Sequence, residues 1–122
     1  RRIMLPCAAG TEQRNAAIAD IKLPDGTEFS IVDTHIDMSK LDNGMSQIKE
    51  VNRIPQLGKH YIVAGDMNRR VGTAEINELS SVWTLALSRE FDHIGYYPAN
   101  GWVVKETKVF SDNQLSDHYP TM

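Results

Sequence analysis

Residues 61–68 have the sequence YIVAGDMN, in which a continuous apolar run ends abruptly in a polar segment. Such a run predicts a strand that is buried on both faces of a sheet. Gly65 allows another part of the backbone to approach closely. Asp66 and Asn68 point to the same side of an extended chain, and together they can accept a proton, bind a cation and donate to an anion. The pair suits a phosphate site, and a plain strand-to-turn junction is the alternative.

The segments around this run predict a layered α/β arrangement. Alternating apolar residues indicate strands, and Met45, Ile48 and Val51 continue from Leu41 an apolar helical face with spacings of four and three. The predicted elements, in chain order, are strands at 15–23 and 28–35 joined by a turn at 24–26, a helix at 41–54, a strand at 61–64, a helix capped by Thr73, strands at 91–97 and 102–110, and a polar loop at 111–116.

Composition excludes several classes of function. The 122 residues carry 13 Lys and Arg against 16 Asp and Glu, and this net charge of -3 argues against a generic basic coat for nucleic acid. Cys7 is the single cysteine, so neither an intrachain disulfide nor a cysteine-rich metal site can form. No apolar run approaches the roughly 18 residues of a membrane span. The chain opens with Arg1 rather than Met, so we expect a partial chain whose compartment is not indicated.

Four short segments place ionisable side chains at or near the ends of predicted strands. They are DTHID at 33–37, GDMN at 65–68, FDHI at 91–94 and SDH at 116–118. Asp92 lies on an apolar strand, where a carboxylate is costly unless it is paired, and an imidazole is its natural partner. Taken singly, each segment also fits a polar turn, a loop or a solvent-facing edge.

The basic residues beside these segments have ordinary interpretations of their own. A lone histidine such as His35 is more often a structural residue than a catalytic one. Arg69 and Arg70 are interpreted as solvated loop charges, with phosphate binding as the alternative.

Taken together, the order and surroundings of the four segments resemble the endonuclease/exonuclease/phosphatase superfamily, the deoxyribonuclease I-like group. Residues 29–35 are similar to its Thr-His strand, 61–68 to its Gly-Asp-x-Asn strand end, 91–94 to its Asp-containing strand, and 116–120 to its closing Ser-Asp-His segment. The resemblance implies that residues 1–122 are a single partial domain. That domain would be part of a four-layer α/β sandwich, two mixed and mainly antiparallel sheets flanked by helices, without its N-terminal portion.

The resemblance also implies metal-dependent hydrolysis of phosphoesters, with Mg²⁺ or alternatively Mn²⁺ as the cofactor. Asp66 would orient or deprotonate the attacking water, and Asn68 would bond to the scissile phosphate or to the nucleophile. Asp117 would bind the metal or its water shell. Mg²⁺ prefers oxygen ligands and retains several waters, so few protein carboxylates suffice.

The histidines have implied roles on the phosphate side of the same site. His118, oriented by Asp92, would contact the phosphate and stabilise developing charge, with His35 as a second histidine there. The substrate class stays open among nucleic acid, inositol phosphate and phospholipid head group.

One departure from the family pattern supports other readings. The metal-binding Glu of the family's first half has no identifiable counterpart, and Glu12 stands in a different context. The alternatives are a non-catalytic or incomplete fragment that acts as a binding module, and an ordinary α/β module whose polar residues scatter. We expect one sheet face to be exposed and to pair with the missing N-terminal portion or with a second copy.

Overall fold

The chain folds into a six-stranded mixed sheet with two helices packed against one face. The computed structural model describes residues 1–39, 42–111 and 116–122. The elements are β1 (Arg2–Met4), β2 (Asn15–Lys22), β3 (Glu28–His35), α1 (Asn43–Val51), β4 (Tyr61–Asp66), α2 (Ala74–Ser80), β5 (Thr84–Arg89) and β6 (Asp92–Tyr97), followed by a 3-10 turn at Ala99–Gly101. The sheet order is β1-β2-β3-β4-β6-β5. The predicted α/β class is confirmed.

The predicted hairpin is confirmed as the antiparallel pair of β2 and β3, with Ile18 opposite Val32. Its turn closes with Leu23 N–H donating to Thr27 O at 2.8 Å and Gly26 N–H donating to Leu23 O at 2.9 Å. Gly26 takes a φ of 88°, a left-handed conformation that glycine adopts without cost. The hairpin therefore forms from local sequence, as the alternation and the turn residues predict.

The β4 strand lies inside the sheet, between β3 and β6. It runs parallel to β3 because α1 supplies the crossover between the two strands, and it is antiparallel to β6. Tyr61 and Val63 are buried, whereas Ile62 and Ala64 are half-buried on the opposite face. The prediction of burial on both faces is thus wrong for the described part of the chain, because the helices cover one face only.

The helices bury their apolar residues against that one face. Ile48 and Val51 of α1 join Ile76 and Leu79 of α2 in one core cluster with Val32 of the sheet. Both helices were predicted, and the Thr73 side chain caps α2 by accepting from Ile76 N–H. The apolar face of α1 is rotated from the prediction. Gln47 is fully buried on it and Met45 only half-buried, while Leu41 lies outside the described residues.

Two predictions about the last third of the chain are wrong. β5 is absent from the predicted elements although Leu85 and Leu87 alternate; it lies at the sheet edge, and a bulge between these two residues shifts its register against β6. The strand predicted at 102–110 does not form: most of this segment is exposed, and Val109 makes only an isolated bridge to Thr121. Its charged residues find no partner strand among the described residues. Most of the predicted loop at 111–116, from 112 to 115, lies outside the described residues.

Among the described residues, no helix combines the length and the apolar character needed to cross a membrane.

Substituting Gly65 with alanine tests how tightly β3 and β4 are packed. Gly65 has a φ of 148°, and a Cβ at this position would overlap the carbonyl oxygen of Thr34. We expect Gly65→Ala to cost roughly 3 kcal/mol or more in the free energy of unfolding, because backbone must move. Chemical denaturation followed by circular dichroism measures this value.

Gly72→Ala is the matched control. Gly72 also has a left-handed φ, of 92°, but a Cβ there would meet nothing within 4 Å. Gly72→Ala should lower the free energy of unfolding by about 1–2 kcal/mol, the cost of a left-handed backbone for a residue that has a Cβ. Equal costs for the two substitutions would show that the contact with Thr34 is unimportant.

Candidate active site at the edge where β3 and β4 end

The sheet register brings three of the predicted site residues side by side. β3 and β4 are parallel and end at the same edge, with His35 opposite Asp66. β6 is antiparallel to β4 and begins at this edge, with Asp92 opposite Asp66 on its other side. Ionisable groups at the ends of three adjacent strands therefore converge. This matches the general placement of ligand sites on strand ends of layered α/β folds.

Asp66 and Asn68 are brought together by a turn. β4 ends at Asp66, and Asn68 takes a left-handed φ of 50°, so the extended chain assumed from the sequence does not continue to Asn68. Asn68 N–H donates to Asp66 Oδ1 at 2.7 Å. The side-chain amide of Asn68 donates to Ile36 O, also at 2.7 Å, and so bonds to the backbone immediately after His35.

His118 is hydrogen-bonded to Asp92. Its Nδ1 lies 2.7 Å from Asp92 Oδ2, and its Nε2 lies 3.6 Å from Asp66 Oδ2. The hydrogen bond to Asp92 is the main cause that raises the pKa of His118 above 6.5, with the charges of Asp92, Asp66 and Asp117 adding to it. The ring of His118 thus favours the protonated form while one edge faces Asp66.

His35 approaches Asp66 from the other side. Its Nε2 lies 3.5 Å from Asp66 Oδ2, and the side chain is about half exposed. Asp66 therefore lies between two imidazoles, His35 and His118. The alternative in which these side chains scatter over the surface is wrong.

Asp66, Asp92 and His118 also form a group that can hold a cation. Each offers one ligand atom, and these atoms all lie within 4.8 Å of one another. Two carboxylates fit a hard divalent cation that keeps several waters. Asp117 is exposed and accepts a hydrogen bond from Ser116 at 3.1 Å, and it lines a small cavity together with Asp92 and His118. The structure thus places Asp117 at the rim of the group and not within it.

Arg14 is a basic residue near the site that the sequence reasoning did not select. It lines an open cleft of about 400 Å³ together with His35 and Asp66. Its side chain is 17% exposed and pairs with Glu12 at 3.0 Å, while the buried Nε has no partner among the described residues. No short motif marks Arg14, because its position in the cleft comes from the pairing of β2 with β3.

Arg69 and His93 are structural residues of the site. Arg69 is 16% exposed and bonded to Glu75, so the interpretation of Arg69 as a solvated charge is wrong, whereas Arg70 is largely exposed. His93 is buried, with hydrogen bonds of 2.8 Å to Ser88 and to Arg69 O. Both nitrogens of His93 are therefore used within the fold.

Comparison with known proteins bears on the fold. No family model and no curated protein matches the sequence. Solved structures do match. An endonuclease/exonuclease/phosphatase from Beutenbergia cavernae aligns with a TM-score of 0.73 at 16% identity, over 99% of this chain and 43% of that chain. A mannosyl-6-phosphatase from Bacteroides thetaiotaomicron aligns with a TM-score of 0.65 at 15% identity, over 84% of this chain and 47% of that chain.

The human Nocturnin catalytic domain, solved with a bound sulfate anion, aligns with a TM-score of 0.63 at 18% identity, over 89% of this chain and 48% of that chain. The chain thus has the fold of endonuclease/exonuclease/phosphatase structures and spans about half of their length. The resemblance seen in the sequence is confirmed at the level of the fold.

The pKa of His118 should fall when its partner loses charge. In Asp92→Asn the carboxylate bond that favours the imidazolium is removed, so we expect the pKa to drop toward 6.5. NMR titration of the His118 ring proton in the folded protein measures the shift. Asp25→Asn, in the β2–β3 turn at the far end of the sheet, is the control and should leave this pKa unchanged.

The sign of the linked stability follows from the raised pKa. The Asp92–His118 pair stabilises the fold fully below about pH 6.5, and this contribution is lost as the pH rises through the folded pKa of His118. The difference in melting temperature between wild type and Asp92→Asn should therefore shrink with rising pH. A difference that grows instead would contradict the assignment.

Proposed function

We propose that this chain is part of a metal-dependent phosphoester hydrolase. The observation that supports the proposal best is the convergence of Asp66, Asp92 and His118, with His35, at one edge of the sheet. The fold shared with solved endonuclease/exonuclease/phosphatase structures supports the same class of chemistry.

Asp66 is the proposed group that handles the attacking water. Its Oδ1 is held by Asn68 N–H, which leaves Oδ2 facing both imidazoles. A carboxylate fixed in this way can align a water and accept its proton. Asn68, whose side-chain amide is tethered to Ile36, lies beside this carboxylate and is proposed to contact the phosphate or the nucleophile.

The imidazoles are the proposed partners of the phosphate oxygens. His118 is held by Asp92 and favours the protonated state, so it can donate to an oxygen that gains negative charge. His35 is half exposed and can donate from the opposite side. Preorganised donors of this kind stabilise the transition state without reorganisation during the reaction.

A divalent cation, proposed as Mg²⁺ or Mn²⁺, would be held by carboxylate oxygens at this edge. Asp66 lies within the clustered group, and Asp117 at its rim is the further proposed ligand. Mg²⁺ prefers oxygen ligands and His118 is hydrogen-bonded to Asp92, so we assign the Asp92–His118 pair to proton and charge chemistry. When bound, the cation would offset negative charge on the phosphoryl group.

The substrate is proposed to be an anionic phosphoester. The cleft lined by Arg14, His35 and Asp66 is open, and Arg14 places a positive charge in its lining. Nucleic acid, an inositol phosphate, a sugar phosphate and a phospholipid head group all present the same phosphoester chemistry to this edge.

We further propose that residues 1–122 are one portion of a single domain. The sheet face opposite the helices carries half-buried apolar residues such as Ile31, Ile62 and Ile94. The solved structures that share the fold are about twice as long. We propose that the remaining portion of the domain covers this face, and that a second copy takes its place when the 122-residue chain is studied alone. A stable monomer in sedimentation equilibrium, with cooperative unfolding, would count against this proposal.

Removing the site side chains should abolish hydrolysis that depends on a divalent cation. For Asp66→Asn and for His118→Ala we expect kcat to fall by roughly 10²-fold or more, the usual worth of a positioned acid or base. The assay uses bis-p-nitrophenyl phosphate with Mg²⁺ or Mn²⁺, on the 122-residue chain and on any longer protein that contains it. Chelation by EDTA should remove the activity of the wild type.

His60→Ala and Asp25→Asn are matched controls from the opposite end of the sheet. His60 packs its ring against Trp102 at a centroid distance of 6.1 Å, away from the candidate site. Both controls should keep the wild-type rate. Wild-type activity in Asp66→Asn and His118→Ala would refute the proposed hydrolase. Cation or phosphate binding without turnover in every protein tested would instead support the binding module.

A further inference from the structure

Four parts of the chain enclose the Arg69 side chain: α2, the Asp66–Asn68 turn, the segment after β3, and α1. Its Nε donates to Glu75 Oε1 of α2 at 2.8 Å, and one terminal nitrogen donates to Asn68 O at 2.9 Å. The other terminal nitrogen donates to Ser39 O at 3.3 Å, in the segment that follows β3. The hydrogen bond from Arg69 is also the main cause that lowers the pKa of Glu75.

The packing of α1 leaves a space for this guanidinium. Gly44 is buried, and a Cβ built on it would lie 2.8 Å from the Arg69 terminal nitrogen. Any larger residue at this position would displace the guanidinium. Gly44 therefore acts as a steric match to Arg69, although glycine is unfavourable inside a helix.

The backbone of Arg69 is held from a different direction. The buried His93 lies with Nε2 2.8 Å from Arg69 O. Because a carbonyl can only accept, Nε2 carries the proton, and Nδ1 then accepts from the Ser88 hydroxyl at 2.8 Å. Arg69 is thus fixed through its side chain and through its carbonyl.

We propose that Arg69 is a positioning residue that connects the Asp66–Asn68 turn to Ser39, in the segment that follows His35. Asn68 has a left-handed backbone, which asparagine adopts readily, so the turn stays in place through its contacts with Asp66, Ile36 and Arg69. The planar fork of arginine reaches Asn68 O and Ser39 O while Nε bonds to Glu75, a geometry that lysine cannot reproduce. This inference rests on the proposed function only in taking His35 and Asn68 as site residues.

The environment of Arg69 argues against a direct role in anion binding. Its donors are directed at Glu75 and at backbone carbonyls within the fold. Arg70, the next residue, is 66% exposed and lies over the Phe91 ring at 5.2 Å. The two adjacent arginines therefore differ in environment, and they provide a variant and a matched control of equal charge change.

Hydrogen exchange of the Asn68 amide tests the proposal without relying on activity. This amide donates to Asp66 at 2.7 Å. In Arg69→Gln its exchange should accelerate about tenfold or more, since hydrogen bonds to charged groups carry the local stability. In Arg70→Gln it should stay within about twofold of wild type by the same measure. NMR exchange on folded samples gives both rates.

Gly44→Ala tests the same coupling without a charge change. Alanine restricts the unfolded chain more than glycine, an effect of about 0.4–1 kcal/mol in favour of the folded state, while its Cβ displaces the guanidinium. We expect an unchanged or higher melting temperature together with faster exchange at Asn68. If Arg69→Gln does not fold, the exchange rates of the Asn68 amide in Gly44→Ala and Arg69→Lys test the proposal. In Arg69→Lys we expect a rate between those of the wild type and of Gly44→Ala. Wild-type exchange at Asn68 in the folded variants would overturn the proposal.

Kinetics provide a second readout that a purely structural role would not move. On bis-p-nitrophenyl phosphate, Arg69→Gln should lower kcat by about 10²-fold with KM within twofold, as expected for misplaced catalytic groups. Arg70→Gln should retain the wild-type kcat. Unchanged kcat in Arg69→Gln would contradict the proposal. If neither the 122-residue chain nor any longer protein that contains it is active, the proposed function fails, while the exchange rates still judge Arg69.

Discussion

The close parallel pairing of β3 with β4 is the constraint on which the rest of the structure depends. Gly65 lies so near the Thr34 carbonyl that no Cβ fits between them. In this pairing His35 is opposite Asp66. A shift of one residue would turn every side chain of β4 to the other face and separate these two groups. The register of this pair thus determines where the ionisable groups at the sheet edge lie.

The electrostatics of the edge follow from that register. Asp66 is flanked by His35 and His118, and Asp92 holds the far side of the His118 ring. In this arrangement a protonated imidazole offsets the negative charge of the carboxylate beside it. The proposed function assigns a phosphate with growing negative charge, and a cation that offsets it, to this same edge.

The groups at the edge are held in place from behind. Asn68 bonds to Asp66 and to Ile36, and Arg69 connects the same turn to Ser39 and to Glu75 of α2. The loops that carry the site are therefore tied to the helical layer. On the other face the sheet carries half-buried apolar residues and has no comparable layer among the described residues. The loops of the candidate site are thus bonded to the helical layer on one face of the sheet, and the opposite face has no covering layer among the described residues.

The sequence by itself determined the elements whose signals are local. Alternation predicted β2 and β3, spacing predicted both helices, and the order of four short motifs indicated the fold and the residues at its edge. Tertiary structure decided what depends on distant partners. β5 lies at the sheet edge and pairs only with β6, residues 102–110 have no partner strand among the described residues, and helices on one side left β4 buried on one face.

The candidate site divides in the same way. His35, Asp66, Asn68, Asp92 and His118 could be selected from short motifs: the first four lie at or beside strand ends, and His118 follows Ser116 and Asp117 in a polar segment. Their mutual distances could not, since strand register is set by packing against other strands. The roles of Arg14 and Arg69 were hidden for a related reason. An arginine in a loop looks the same in sequence whether it faces solvent, lines a cleft or is enclosed between two helices, and only its partners in space distinguish these cases.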